Sequence, residues 1–319
     1  MGWSRRSATA ASEPRGSAPD RAPTGPFVRE MGGSVALTGR TGRRIRDDGT
    51  PVFTKARADA PAHLFEREAA GLRALAAAGA RVPRVLAWSE TGLEIEWIDD
   101  GGRRTRQTEA AFGRELAGFH AGSRPEAGAP DRFGSPDDVA AGWLGACPVD
   151  YTPADTWAES WVGRRILPLA RRAERAGVVP ASARADAERL AELTDGFGAD
   201  APADHPGAAV LGSAEPSSLV HGDLWAGNRL VDADGRSWLV DPSAHRGHRE
   251  ADLAMMRLFG GFGEEAFAAY REAFPLADGW RERVLPYQAV PLLVHAVLFG
   301  GGYGEQAAAS LRAAVRLAS

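Results

Sequence analysis

The sequence predicts an α+β protein of two lobes: a small antiparallel sheet with one helix, then a larger and mainly helical part. Three observations predict it. Short apolar runs broken by Gly and Asp-Gly turns fill much of the first hundred residues. Beyond residue 99 the apolar spacing turns helical. Between the two lies Asp99-Asp100-Gly101-Gly102, a polar stretch with the composition of a hinge. The chain therefore divides into a disordered tail at 1–26, a small lobe at 27–98 and a large lobe at 99–319.

The elements follow in order. Residues 1–26 are rich in Ala, Ser, Arg and Pro and lack the apolar core of a signal peptide. Residues 34–56 read as strand, Gly turn, strand, Asp-Gly turn, strand. Val35–Leu37 are apolar, Asp47-Asp48-Gly49 is a hairpin signal, and Val52–Lys55 form the next strand. A helix lies within 60–83, with Leu64, Leu72 and Leu75 on one face. Glu68 shares that inward face, four residues from both Leu64 and Leu72. A carboxylate there needs a partner, and Lys55 on the preceding strand offers one; an edge position reaching water is the other reading. A strand, a turn at Thr91-Gly92 and a strand over Leu93–Ile98 complete the small lobe. In the large lobe Phe112, Leu116 and Phe119 make one helical stripe. Trp157–Ala176 and Ser182–Leu193 are two further helices, and residues 196–217 read as a loop.

Composition bounds the function. The 319 residues are 44% hydrophobic, enough to bury a core, and the net charge of −4 gives no reason to expect a nucleic-acid partner. No run of about 18 apolar residues exists, so no membrane span is expected. Cys147 is the lone cysteine, which excludes an internal disulfide and suits a reducing cytoplasm. The Ala/Arg/Gly bias points to a GC-rich bacterial genome. Of 38 basic residues one is lysine, Lys55, and 37 are arginine. Lys55 is either a chance survivor on a solvated strand or a site that needs a point charge, such as a phosphate contact.

The chemistry-bearing stretch follows the loop. Leu219-Val220 leads into His221-Gly222-Asp223-Leu224, and Asn228 stands five residues after Asp223. Two short strands, Arg229–Val231 and Ser237–Val240, flank an Asp234-Gly235 turn, and the second delivers Asp241. The loop and the returning hairpin bring a carboxylate and an amide oxygen to one point. That pair suits a hard divalent cation such as Mg²⁺, and it leaves a second carboxylate for a substrate hydroxyl. Three aspartates near a turn can also be turn chemistry alone. A rival reading makes His221, Asp223, His245, His248 and Asp252 the metal ligands of a hydrolase. It leaves Lys55, Glu68 and Asn228 without a role; in the first reading His221 is structural, its ring bonded to the loop backbone.

At these residues the chain resembles the fructosamine kinase family, within the aminoglycoside phosphotransferase and choline kinase-like branch of the protein-kinase-like fold. The resemblance covers about residues 30–318. It is carried by "LVHGDLWAGN", "GHREADLAM" with "LFGGF" after it, "PLADGWRERVLPYQ" and "LFGGGYGEQ". It implies a bilobal kinase-like fold and ATP- and Mg²⁺-dependent phosphorylation of the 3-hydroxyl of a ketosamine, free or on protein. That is deglycation repair, by a cytoplasmic monomer or weak homodimer. In this resemblance Asp223 takes the hydroxyl proton, and Asn228 and Asp241 hold the metal. Lys55 meets the α/β-phosphates and pairs with Glu68. Gly32, Gly33 and Ser34 open the Gly-rich turn, and the backbone of Glu96, Trp97 and Ile98 meets adenine.

The acceptor side departs from the family pattern. Trp225 is either a wall for the sugar or packing under the loop. His245 and Arg246 stand where the family often has two tyrosines, which implies a cationic pocket preferring a carboxylate-bearing ketosamine. Glu250 faces substrate or, with Arg249, anchors the loop. Pro148 and Asp150 stand near the family's Gln and Asn, and Val35 stands near its cysteine, so no redox switch is expected there. His295 reads as a core histidine. Two alternatives remain at this point: a choline- or aminoglycoside-type kinase, and a pseudokinase that binds nucleotide or a partner.

Overall fold

The structure is a computed structural model that describes residues 39–137 and 139–319. The expected tail at 1–26, the Gly32–Ser34 turn and the Val35–Leu37 strand lie outside the described residues.

The small lobe opens with β1 (Arg40–Ile45) and β2 (Pro51–Ala56), joined at the expected Asp-Gly turn. There Asp48 Oδ1 accepts the Thr50 N–H at 2.9 Å. Helix α1 (Leu64–Ala77) and the hairpin β3 (Val85–Ser89) and β4 (Gly92–Glu96) follow. The sheet is antiparallel in the order β1-β2-β4-β3, so β2 lies centrally beside β4 with Lys55 opposite Leu93. α1 buries Phe65, Ala69, Leu72 and Leu75 beneath the sheet, while Leu64 is half-buried.

The polar segment after Ile98 is docked against the large lobe. Asp100 Oδ1 accepts the Val231 N–H and the Gly102 N–H donates to the Val231 carbonyl, both at 2.8 Å. Helix α2 (Arg106–Gly122) starts in a capping box, where Thr105 Oγ1 accepts the Thr108 N–H and Thr108 Oγ1 accepts the Thr105 N–H. Its stripe of Phe112, Leu116 and Phe119 is buried in the same core as Leu72, Leu75, Leu93 and Ile95. The two lobes thus share apolar packing on this side.

A hairpin absent from the sequence reading comes next: β5 (Ala141–Leu144) and β6 (Cys147–Asp150). Strands of four residues around Gly142, Gly145 and Pro148 carry too little alternation to be seen. The expected helix at Trp157–Ala176 is a π-helical stretch, Glu159–Ile166, continued by α3 (Leu167–Arg175). α4 spans Ala181–Thr194. The expected loop at 196–217 contains a short helix, α5 (Pro206–Leu211), whose Val210 and Leu211 are buried. Six residues are too few to show a period, and tertiary burial decides the outcome.

The site-bearing strands are short: β7 (Ser218–Val220), β8 (Arg229–Val231), β9 (Ser237–Leu239) and β10 (His245–Gly247). β8 pairs with β9 and β7 with β10, both antiparallel. Helices α6 (Glu250–Leu258), α7 (Glu264–Ala273), α8 (Trp280–Tyr287), α9 (Ala289–Phe299) and α10 (Tyr303–Ala318) complete the chain. A second core joins the π-helical stretch, α3, α4, α9 and α10 around Trp161, Ile166, Leu190, Leu293 and Leu311. No helix among the described residues is long and apolar enough to cross a membrane.

Candidate active site

The loop from Val220 to Asn228 is fixed from behind. Asp252, at the start of α6, accepts the backbone N–H of His221 at 2.7 Å and of Gly222 at 2.9 Å. His120 lies 3.2 Å from the same carboxylate. Burial would raise the Asp252 pKa, but His120, His221 and the backbone donors hold it below the usual carboxylate range. His221 is fully buried, which lowers its pKa, so the ring is neutral. Its Nε2–H donates to the Val240 carbonyl at 2.9 Å, and its Nδ1 faces the Asp223 N–H at 3.3 Å. Gly222 has φ +80°, and a Cβ there would fall on the Ser243 carbonyl oxygen. Arg104 grips the loop's other end, donating to the carbonyls of Ala226 and Arg229, each at 2.7 Å.

Three groups converge on this loop. Asn228 ends a 3₁₀ turn, and its Nδ2 donates to the Asp223 carbonyl at 2.8 Å and to Asp223 Oδ2 at 3.1 Å. That fixes the amide's orientation and turns Oδ1 the other way. Asp241 follows β9 with φ 56°, a left-handed conformation that Asp tolerates better than most residues. Lys55 Nζ lies 2.6 Å from Asp241 Oδ1 and 2.7 Å from Glu68 Oε1. Burial opposes charge on Lys55, but the Asp241 and Glu68 carboxylates outweigh it and raise its pKa. Burial likewise pushes the Glu68 carboxyl up, against the pull of Lys55. The Asp223 carboxyl is raised to about 7, first by burial and then by the nearby Asp241 charge. A carboxylate so poised can accept a proton near neutrality.

A cavity of about 400 Å³ collects these groups. Lys55, Glu68, Asp223, Trp225, Asn228 and Asp241 all line it. Trp225 is 37% exposed and meets Phe259 edge-on. The Glu96 N–H donates to the Arg84 carbonyl at 2.9 Å, so this face of β4 is already used. Ile98 packs with Leu230 and Val240, and the Trp97 ring lies near Phe53 under Arg43.

Three expected acceptor-side residues are turned away from the cavity. Pairing of β10 with β7 sends His245 inward, 2% exposed, against Arg165 and Tyr151. It sends Arg246 to the other side, where it donates to the Ser123 carbonyl at 3.1 Å. Glu250 forms a buried two-pronged ion pair with Arg283, both contacts 2.7 Å. Arg249 pairs with Glu215 and donates to the carbonyls of Phe274 and Pro275, so the pair anchors structure. Four of the five ligands of the rival hydrolase reading are consumed in the same way: the rings of His221 and His245 and both oxygens of Asp252 already serve hydrogen bonds, and His248 faces Glu215, which leaves Asp223 alone at the cavity. The His295 Nδ1–H donates to the Pro291 carbonyl at 2.7 Å, and its ring packs with Phe259, Phe299 and Tyr303.

The residues that sequence reasoning missed are Trp143, Tyr151 and Ser243, which line the cavity together with Trp225. Aromatic residues on either side of the Gly145 turn were their one signal. Pro148 and Asp150, singled out instead, do not line the cavity; Asp150 accepts the Thr152 N–H at 2.8 Å.

A small antiparallel sheet with a Lys–Glu pair, facing a loop with Asp, Asn and a returning Asp, defines a phosphotransferase of the protein-kinase-like fold. The solved streptomycin–ATP–APH(2")-IIa complex shares that fold at TM-score 0.54 and 12% identity, covering 86% of this chain and 90% of that one. Within the class, the chain belongs to the fructosamine kinase family: the family model described as Fructosamine kinase matches residues 31–316. It is thereby an ATP-dependent kinase of hydroxyl acceptors. It is 33% identical to "Probable ketoamine kinase slr1563" of Synechocystis sp. over 80% of this chain and 79% of that protein. It is 31% identical to the protein-ribulosamine 3-kinase, chloroplastic, of Arabidopsis thaliana over 82% and 74%. A crystal structure from Thermobifida fusca, provisionally designated a fructosamine-3-kinase, is 38% identical and superposes at TM-score 0.70, covering 87% of this chain and 93% of that one.

Proposed function

We propose that the protein phosphorylates the 3-hydroxyl of ketosamines, with Asp223 as the proton acceptor. One observation carries the reading: a proton-accepting carboxylate and a lysine bridged to two carboxylates share a cavity walled by aromatic rings. The sugar hydroxyl loses its proton to Asp223 as its oxygen bonds to the γ-phosphorus. The bond from that phosphorus to the β–γ bridging oxygen breaks, and ADP leaves. Lys55 holds the α/β-phosphates, Glu68 holds Lys55, and the backbone of Glu96 to Ile98 meets the adenine edge. Trp225 is the flat wall that presents one hydroxyl among several.

The residues fit Mg²⁺. Asn228 Oδ1 and Asp241 Oδ2 carry no hydrogen bond among the described residues, and both are hard oxygen donors. Two protein ligands are the usual number for a Mg²⁺ that shares its remaining positions with phosphate and water. When bound, the ion would neutralise charge on the phosphates.

The expected taste for carboxylate-bearing ketosamines loses its ground, because His245 and Arg246 are not at the cavity. The arginines that line it, Arg57 and Arg67, already pair with Asp59 and Asp137. Elimination of inorganic phosphate from the 3-phosphoketosamine, followed by hydrolysis of the remaining adduct by water, frees the amine and a deoxy dicarbonyl sugar, which makes the reaction deglycation repair. A cytoplasmic monomer or weak homodimer suits this role, with ATP at hand and Cys147 reduced. The test is ³¹P NMR with ribulose- and fructose-amino acids beside choline and kanamycin. A sugar 3-phosphate from a ketosamine is expected; product from choline or kanamycin alone overturns the assignment.

A further inference from the structure

We infer that Arg165 is the positioning residue of the acceptor wall: buried in a π-helical turn and in no salt bridge among the described residues, it fixes His245 and thereby the Tyr151–Ser243–Trp143 face beside the reacting hydroxyl. The inference rests on the kinase reading and adds the residues that shape its acceptor side.

Two independent observations single out Arg165. It is 1% exposed and forms no ion pair among the described residues, Asp150 acting on it only from beyond contact, whereas the buried Arg229, Arg249 and Arg283 each hold a glutamate, Glu109, Glu215 and Glu250. Its guanidinium instead lies over three rings, 4.6 Å from Tyr151, 5.3 Å from Trp157 and 5.5 Å from Trp161. Its Nη2 donates to Ser160 Oγ at 3.0 Å, and its Nε makes no hydrogen bond. A buried cation that no carboxylate contacts among the described residues is a poor way to gain stability. The second observation is the backbone. Glu159–Ile166 is π-helical, a conformation that recurs at functional sites. In it Arg164 turns out to Glu159 while Arg165 turns in.

The contacts run from Arg165 to the cavity without a gap. Arg165 Nη1 lies 2.7 Å from His245 Nε2, and a guanidinium can only donate. His245 Nε2 is therefore bare, and the proton sits on Nδ1, which donates to the Ser243 carbonyl at 2.8 Å. The His245 ring stacks on Tyr151 with centroids 4.6 Å apart. Ser243 Oγ donates to the Trp143 carbonyl at 2.6 Å, so the Tyr151 hydroxyl donates to Ser243 Oγ, also at 2.6 Å. A Cβ at Gly142 would fall on the Tyr151 ring, so the hairpin lies flat against it. Tyr151, Trp143 and Ser243 line the cavity that holds Asp223, and Ser243 is two residues beyond Asp241. Arg165 touches none of the reacting groups; it sets the tautomer and the ring that shape their far wall.

Arg165→Met tests this. The KM for a ketosamine is expected to rise about 10-fold or more, since a small misplacement of a bound group is costly. The KM for ATP should stay within about twofold and the melting temperature should not fall, because methionine keeps the apolar stem and removes a buried charge that forms no salt bridge among the described residues. Tyr151→Phe should raise the same KM, and the double variant should fall short of the product of the two effects. Amide hydrogen exchange over residues 141–150 should be faster in Arg165→Met, a readout that needs no substrate. A folded Arg165→Met with unchanged acceptor KM and unchanged exchange overturns the inference. If Arg165→Met does not fold, Tyr151→Phe decides by the same two readouts. If the wild type phosphorylates no ketosamine, the functional reading falls, and hairpin exchange alone judges this one.

Discussion

Asp223→Asn should make the free protein more stable and the enzyme nearly inactive, and the first effect should depend on pH in a defined way. Burial and the Asp241 charge raise the Asp223 pKa from 3.8 to about 7. The folded state therefore favours the protonated acid. Stability from that group is complete below the unfolded pKa and is lost as pH rises through about 7. At pH 8 the shift of about three units corresponds to roughly 4 kcal/mol of cost in the wild type, which a neutral amide does not carry. At pH 5 only about one unit separates the solution from the unfolded pKa, so the cost falls to about 1.5 kcal/mol. Calorimetry without nucleotide or metal should show Asp223→Asn melting about 5–10 °C higher at pH 8, with the gain shrinking toward pH 5. Coupled ADP release should show turnover down by about 10²–10⁴, with ATP binding kept. A lower melting temperature at pH 8, a gain that grows toward acid, or turnover within about tenfold of wild type would refute the reasoning.

Other outcomes follow from the same geometry. Lys55→Arg should lower turnover by about 100-fold or more in the coupled assay, since a planar fork cannot take the place of one nitrogen between two carboxylates. Asp241→Ala should weaken binding of Mg²⁺–ATP by calorimetry far more than binding of metal-free ATP. The pH profile of kcat/KM for the acceptor should rise with pH through a midpoint near 7 to a plateau above about 8, and saturation with Mg²⁺–ATP should move that limb to lower pH by offsetting the Asp241 charge. Gly222→Ala should lower the melting temperature by several degrees, because φ +80° and the Ser243 carbonyl leave no place for a methyl group.

What was legible in the sequence is what spacing alone can fix. Asp223, Asn228 and Asp241 meet because a loop of five residues and a tight hairpin leave the chain few other paths, and Lys55 meets Glu68 because strand and helix are adjacent. His245, Arg246 and Glu250 are equally close in sequence, yet their side chains answer to β7, Ser123 and Arg283, which lie far along the chain. A side chain's direction on a three-residue strand depends on register, and one residue of slip reverses it. Trp143 and Tyr151 reach the cavity through a hairpin too short to show a period. The left-handed turn at Asp241 and the π-helical turn at Arg165 leave no compositional mark.

The lone lysine now has a physical reading that the count could not supply. Its nitrogen sits between Glu68 on α1 and Asp241 after β9, so one point charge ties the small lobe's helix to the large lobe's hairpin. An ammonium carries three donors, and the two carboxylates use two of them; the third remains for a phosphate oxygen. A guanidinium would spend its parallel N–H bonds on a single carboxylate, its preferred two-pronged mode, and would reach farther into the cavity. That is how the chain uses arginine elsewhere: Arg46 takes both oxygens of Glu94, and Arg283 both of Glu250. A genome that writes arginine almost everywhere therefore meets resistance at the position where two carboxylates on separate elements must share one small cation. The Asp241 carboxylate, only partly offset by Lys55, also leaves a surplus of negative charge beside Asp223. That surplus helps keep the Asp223 acid protonated in the empty cavity, and a bound divalent cation would cancel it, releasing Asp223 to accept the hydroxyl proton once Mg²⁺–ATP is in place.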